Sequence, residues 1–454
     1  MNVCRHLLLL AFAMTSGTAA AEPVPTVIVD IHALGADRLQ ALKNEPSVRW
    51  AAEFGNELLL GVDPTQLAEW GKRPRVRDGL GLLAPEEIWV RDHVCAHQAL
   101  QPALGVVGGY ELLRQPASVI RFAERTGIVG RALPADGVVA REQRNEAHPK
   151  SATTVSSAVQ NLVNRVDAER WFATMSTLAS FNRNSFSPAL GAARDWISTH
   201  FEATGLVSSH FTFTLENLSS CTPTPPPISI DNPIGLKLGQ TLPDEWVVVG
   251  AHYDSRNVAR CDGTLAPQPG ANDNASGCAG VIELARVFAD VDTERSVLFM
   301  CFSGEEQGLW GSRRYVESLQ SSGEIAKVKH MINLDMLGYD ASGALDARVE
   351  TTSAHVALLG EYSAAAATYA PELNIITSSA TSAGSDHWYF LGAGVPSVFT
   401  WENGASVYPH YHKETDIPAN MTRARELAGG ILKMDAAMLA EKAGLATMFA
   451  DGFE

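Results

Sequence analysis

Five groups of polar side chains follow apolar runs in this chain. His252 and Asp254 come after WVVVG, Asp273 lies in PGANDNASG, and the adjacent Glu305 and Glu306 follow SVLFMCFSG. Asp335 sits in HMINLDMLGY, and the last group joins Asp386 and His387 of SDHW to His410, His412 and Asp416 of YPHYHKETD. Each has an ordinary explanation when taken alone. Asp273 or Asn274 can cap a helix, a lone histidine can be a satisfied polar residue, and neighbouring acids can sit solvated on a loop. Together they offer two imidazoles and three carboxylates, the nitrogen and oxygen mixture that suits zinc or a similar divalent ion. Adjacent carboxylates repel, and a cation held by one of them leaves the other free to move protons. Five protein donors exceed what one tetrahedral ion with an open water position accepts. Two ions sharing a bridging carboxylate is the simplest solution, and Asp273, short and held at a turn, is the natural bridge.

The elements that must position these groups are legible as apolar runs. Strands are expected at 246–250, 296–302, 328–336, 374–377 and 395–400, with helices at 275–289, 308–319, 356–369 and 422–442. Strands alternating with helices make a mainly parallel sheet covered on both faces, and ligands bind such sheets beyond the carboxyl ends of the strands. The acids and histidines fall there repeatedly. Asp254, two residues after His252, is placed to orient its ring.

The motifs GAHYDSR, GANDNASGCAGVIELAR, FSGEEQGLWGSRRY, INLDMLGY and the stretch from SDH to YHKETD resemble the secreted bacterial leucyl-type dizinc aminopeptidases of metallopeptidase family 28. The similarity spans residues 155–442 in the family's order and spacing. It implies a three-layer α/β sandwich with a central mixed, mainly parallel sheet and helices on both faces; a smaller N-terminal α+β segment is expected from the apolar runs before residue 150. Carried over by position, His252 and Asp335 hold one zinc, Glu306 and His412 the other, and Asp273 bridges the two Zn2+ ions. Glu305 matches the general acid/base, Asp254 the carboxylate behind the first histidine, and Tyr411 a tyrosine that in some members stabilises the tetrahedral intermediate. Asp386 and His387 match residues of the pocket that are not ligands. The stretch SSATSAGSDH lacks the cysteines that close a small loop in some relatives. The implied reaction is hydrolysis of the N-terminal residue from peptides with a free N-terminus, by a hydroxide shared between the zincs after Glu305 takes its proton. Glutaminyl cyclase, or a carboxypeptidase or dipeptidase, are alternatives on the same fold, and a non-catalytic binding module is a further one. Such a module is expected to have lost ligands or the base, and all six positions are intact.

Composition narrows the setting. The chain has 454 residues, 46% hydrophobic and 19% charged, which fits two or three globular units and excludes wholesale disorder, a coiled coil or a collagen-like repeat. Its formal charge of −16 repels phosphate backbones and anionic lipid, so no nucleic acid and no membrane partner is expected; the chain is read as a monomer. Residues 1–21 read as a signal peptide cut after Ala21, giving a secreted or periplasmic product. Export permits disulfides. Cys221 and Cys261, in loop sequence, are the preferred pair, Cys278 and Cys301 read as small core residues, and Cys95 is isolated. Strands at 24–31 and 57–62 and a helix at 36–43 are expected in residues 22–150, a propeptide or accessory domain ending in an exposed linker at 141–154. The proline-rich stretch 221–233 reads as a surface loop, 151–445 as the catalytic domain, and 446–454 as a tail without a physical account. Aromatics at Trp388, Tyr389, Phe390 and Trp401 hint at an apolar pocket.

Overall fold

The computed structural model describes residues 22–445 with gaps, the longer of which span 93–103, 115–130, 134–137, 145–154, 380–383 and 404–407. The expected signal peptide and C-terminal tail, Cys95 and most of the expected linker lie outside the described residues.

The apolar runs form a nine-stranded mixed sheet. Its order is Glu142–Arg144, Asn374–Ser378, Asp346–Glu350, Ser397–Glu402, Val328–Leu334, Leu242–His252, Arg295–Phe302, Ile228–Lys237 and Val207–Leu215. The four central strands, Ser397–Glu402 to Arg295–Phe302, run parallel. The strands flanking this group, Asp346–Glu350 and Ile228–Lys237, join it antiparallel. Continuous apolar strands belong in the parallel centre because both faces are covered. Val247, Val249, Val297, Phe299 and Ile332 point into one core, and Val248, Leu298, Met300 and Met331 into another, the alternation a pleated strand imposes. Helices including Ala168–Leu178, Ser276–Phe288, Ala357–Tyr369 and Ala424–Ala443 pack on the first face, and Trp310–Ser322 and His387–Gly392 on the second.

The expected elements from residue 246 onward are present within a few residues of their expected bounds. Two expectations need correction. The stretch 221–233 is a loop only at its start, because Ile228–Lys237 is a strand. Pro233 is tolerated since it pairs with His210 of the outer strand, while pairing to Arg295–Phe302 begins only at Ile234. Cys278 and Cys301 are not free core residues but a disulfide; helix Ser276–Phe288 lies against the strand and brings the two Cα atoms to 5.8 Å. The Cys221–Cys261 pair is present as expected.

The N-terminal part contains a five-stranded and a four-stranded sheet over two small apolar clusters. The expected strands and the helix Ala36–Lys43 are there, together with several short strands the sequence did not reveal. Within the expected linker, Glu142–Arg144 forms the edge strand of the large sheet against Asn374–Ser378. No helix among the described residues is long and apolar enough to cross a membrane.

Candidate metal centre

Strand register delivers the polar groups to one place. His252 closes its strand level with Phe302 of the parallel neighbour, so 303–306 run on past the same end. On the other side Gly250 pairs with Asn333, which brings Asp335 level with His252. Asp273 arrives on the loop before helix Ser276–Phe288, and His412 on a turn that starts after Tyr408. Gly277 lets that helix approach closely, since a Cβ there would stand 2.4 Å from the Leu334 carbonyl oxygen.

Two triads of donor atoms result, and they share Asp273: His252, Asp273 and Asp335, and Asp273, Glu306 and His412. Within each triad the donor atoms lie within 4.8 Å of one another, and all are buried. His252 Nε2 is 3.2 Å from Asp273 Oδ1 and 3.5 Å from Asp335 Oδ2. His412 Nε2 is 2.9 Å from Asp273 Oδ2 and 3.2 Å from Glu306 Oε2. Glu305 Oε2 stands 3.9 Å from His252 Nε2. His252 Nε2, Asp335 Oδ1 and Glu305 Oε1 are buried without a hydrogen-bond partner. Buried polar atoms left this way are costly unless a ligand takes them up.

A frame of hydrogen bonds fixes these side chains. Asp254, behind the His252 ring at 3.5 Å from Nδ1, accepts the peptide N–H groups of Glu305 and Glu306, each at 3.2 Å, and the Ser185 hydroxyl at 3.0 Å. The amides of Asn272 and Asn274 flank Asp273 and bind backbone on either side of Asp335: Asn272 takes the Gly338 N–H at 2.9 Å, and Asn274 donates to the Leu334 carbonyl at 3.1 Å. The Ser385 hydroxyl donates to Asp335 Oδ2 at 2.7 Å. His412 has φ of +53°, a left-handed conformation uncommon outside glycine, though histidine is among the residues that adopt it more readily.

The remaining expected residues divide. Tyr411 stacks on His412 with ring centroids 3.7 Å apart. Asp386 and His387 are buried behind the centre, the former near Glu305 and Asp335 in charge, the latter stacked on Phe399 at 4.9 Å. His410 stays outside, with Nδ1 2.9 Å from the Thr415 hydroxyl. Trp388, Tyr389 and Trp401 join an aromatic cluster with Leu309, Met336, Phe399 and Tyr408. Phe390 instead belongs to the core on the Trp310–Ser322 face. Sequence reasoning missed Arg183, Ser185, Asn272, Ser385 and Glu402. Of these, Asn272 and Ser385 carried a signal, the one inside the GANDNASG motif and the other as the first residue of SDH.

Charge accounts for what the cluster accepts. Burial pushes Glu305 well above the ordinary carboxyl range; His252 pulls it back while Glu306, Asp386 and Asp335 push it further. Burial also raises Glu306 and Asp335, against the pull of His412 and His252 respectively. Burial opposes protonation of His252 and His412, yet Asp335 and Glu305 beside the first, and Glu306 beside the second, hold both above the usual imidazole range. Asp273, between the two imidazoles, is held well below its usual range despite burial. Buried carboxylates outnumber buried cations here, and unpartnered oxygen and nitrogen donors converge. The residues therefore fit divalent cations, with an oxygen and nitrogen donor set appropriate to zinc.

Comparison with known proteins agrees with this chemistry. Peptidase family M28 matches residues 234–430. A protein of Pyrenophora tritici-repentis described as "Probable zinc metalloprotease" is 32% identical over 202 residues, 43% of this chain and 39% of that protein. Aminopeptidase YwaD of Bacillus subtilis is 34% identical over 206 residues, 44% of this chain and 42% of the relative. The chain thus spans about two fifths of the length of these curated relatives. Among solved structures, an aminopeptidase from Aneurinibacillus sp. strain AM-1 superposes with a TM-score of 0.52 at 18% identity, covering 65% of this chain and 98% of the other. A glutaminyl cyclase from Macrostomum lignano gives 0.53 at 16%, covering 64% and 94%; both likenesses are of fold. The fold is an α/β sandwich, and its buried donor cluster fits divalent cations.

Proposed function

We propose that the chain is a secreted aminopeptidase that hydrolyses the N-terminal residue from peptides with the help of two zinc ions. The observation that carries this reading is the meeting of two donor triads on Asp273 with Glu305 beside them. His252, Asp273 and Asp335 would hold one ion, and Asp273, Glu306 and His412 the other. Zinc bound there supplies Lewis acidity, lowering the pKa of water and polarising a carbonyl.

The chain's own residues do the rest. Glu305, with one oxygen unpartnered, takes a proton from the attacking water and returns it to the leaving amine. Burial raises its proton affinity, which suits a group that must both take and give. Asp254 holds the peptide groups of Glu305 and Glu306 and stands behind His252, so it fixes the base and two donors at once. Tyr411, stacked on His412, donates its hydroxyl to the oxygen of the tetrahedral intermediate. The surplus of carboxylates favours a protonated α-amine over a blocked N-terminus, which makes the activity that of an exopeptidase.

Metal-replete protein should release the chromophore from aminoacyl anilides, lose that activity on chelation, regain it with zinc, and leave N-acetylated substrates intact. A broad panel with no cleavage defeats the proposal. Closure of N-terminal Gln to pyroglutamate with loss of ammonia, and no hydrolysis, would replace it by glutaminyl cyclase. The disulfides Cys221–Cys261 and Cys278–Cys301 support export directed by residues 1–21. Intact mass of the exported product tests residues 22–150: a start near Lys150 means a removed propeptide, and a start near Glu22 a retained accessory domain.

A further inference from the structure

Asp416 lies four residues after His412, in the same turn, and touches none of the expected reacting atoms. It is buried, and both of its oxygens are taken by the loop that carries Asp273. Oδ1 accepts the peptide N–H of Asn272 at 2.9 Å and the Tyr408 hydroxyl at 2.7 Å; Oδ2 accepts the N–H of Asp273 itself at 3.0 Å. Its backbone carbonyl accepts the Ala271 N–H at 3.0 Å. The amides of three successive residues therefore converge on one aspartate.

The carbonyls just before them are held from the opposite side. Arg183, completely buried, donates to the Pro269 and Gly270 oxygens, each at 2.8 Å, and to the Tyr253 oxygen, next to His252, at 2.7 Å. The Asp273 loop is thus gripped through its N–H groups by the Asp416 carboxyl and carbonyl oxygens and through its C=O groups by the Arg183 guanidinium. Asp416 is the half of this grip that also belongs to the His412 turn, so it ties together the two elements that bring His412 Nε2 to 2.9 Å from Asp273 Oδ2.

We propose that Asp416 is a positioning residue that locks Asp273 and His412 in mutual register and thereby sets how tightly the centre holds zinc. The proposal rests on the dizinc reading above. An asparagine at 416 presents one acceptor and one N–H pair, so an amide of the loop must face a donor instead of an acceptor. Groups that orient metal ligands in this way are worth about 10–100-fold in affinity.

The test is zinc titration of the full chain in competition with a chromophoric chelator, alongside thermal unfolding of the metal-free protein. Asp416→Asn should bind zinc about 10–100-fold more weakly than wild type. Tyr408→Phe removes only the hydroxyl that orients Asp416 and should weaken binding by about fivefold. A purely structural role would lower the unfolding temperature of the metal-free protein and leave zinc affinity unchanged. Wild-type protein that binds zinc tightly while both variants stay within about twofold of it overturns the role of Asp416 and leaves the dizinc reading standing. Wild-type protein that binds no zinc overturns both. Should Asp416→Asn not accumulate as folded protein, Tyr408→Phe decides.

Discussion

Two of the places where the molecule buries titratable groups behave differently. In the helical layer under the sheet, His330 and Tyr362 meet each other at 3.1 Å, and Asp435 accepts the Thr400 hydroxyl at 2.9 Å. His330 and Asp435 each have a neutral hydroxyl partner, and each gives up its charge. Burial, helped by Lys442 and His355, pulls His330 down to about 3, and burial pushes Asp435 up to about 8. At the carboxyl ends of the same strands, equally buried acids and imidazoles meet one another instead. There the imidazoles are held above their usual range and Asp273 below its own. Burial alone therefore does not make a site. What distinguishes the candidate metal centre is that donor atoms from five chain segments converge and leave nitrogen and oxygen atoms without protein partners.

The sharpest way to break this contrast is to remove the atom pair that both triads share. Asp273→Ala should abolish activity, by at least about 10⁴-fold, because it removes the oxygen that each donor triad takes from this residue. Zinc content measured after dialysis should fall well below that of wild type. A variant that keeps its zinc and turns over normally would show that Asp273 is not the bridge.

Next in size is Glu305→Gln. It leaves both triads intact and removes only a proton carrier, so turnover should fall by about 10²–10⁴-fold while zinc content stays at the wild-type value. Equal loss of zinc would move Glu305 from proton transfer to ligation. Full activity would remove it from the mechanism.

How much of this contrast was legible in sequence follows from where each signal is stored. The central strands are apolar on both faces, so their runs announce themselves, and the donors that follow them are marked by position. The strand Val207–Leu215 lies at the sheet edge with many exposed residues and shows no such run, and Pro233 disguised its partner as loop. Pairing of Cys278 with Cys301 is a tertiary event, invisible because both lie in stretches rich in apolar residues. Arg183, in FNRNSF, reads as an ordinary polar loop residue; its partners are backbone carbonyls as far away as Gly270, and backbone carries no sequence signature. The five expected donors thus came from residue type and place, whereas the frame that holds them came only from the fold.

The smallest expected effect probes the other side of the contrast. Asp435 holds its proton to about pH 8 in the folded protein, against about 3.8 for an ordinary aspartate, which the unfolded chain approximates. A folded pKa raised in this sense means that its contribution to stability is complete below about pH 4 and is lost as pH climbs through about 8. Asp435→Asn is neutral throughout and escapes that loss. Its unfolding free energy should match wild type near pH 4 and exceed it by several kcal/mol, up to about 5 kcal/mol, at pH 8 to 9, an order-of-magnitude figure from the linkage relation. Zinc affinity and turnover at pH 7 should stay within about twofold of wild type, because Asp435 reaches Asp335 only through Thr400, whose hydroxyl meets Asp435 and whose carbonyl accepts the Asp335 peptide N–H. Stability curves that run parallel from pH 4 to 9 would mean that Asp435 is ionised when buried. A large loss of zinc in the same variant would mean that the two buried clusters are one coupled system.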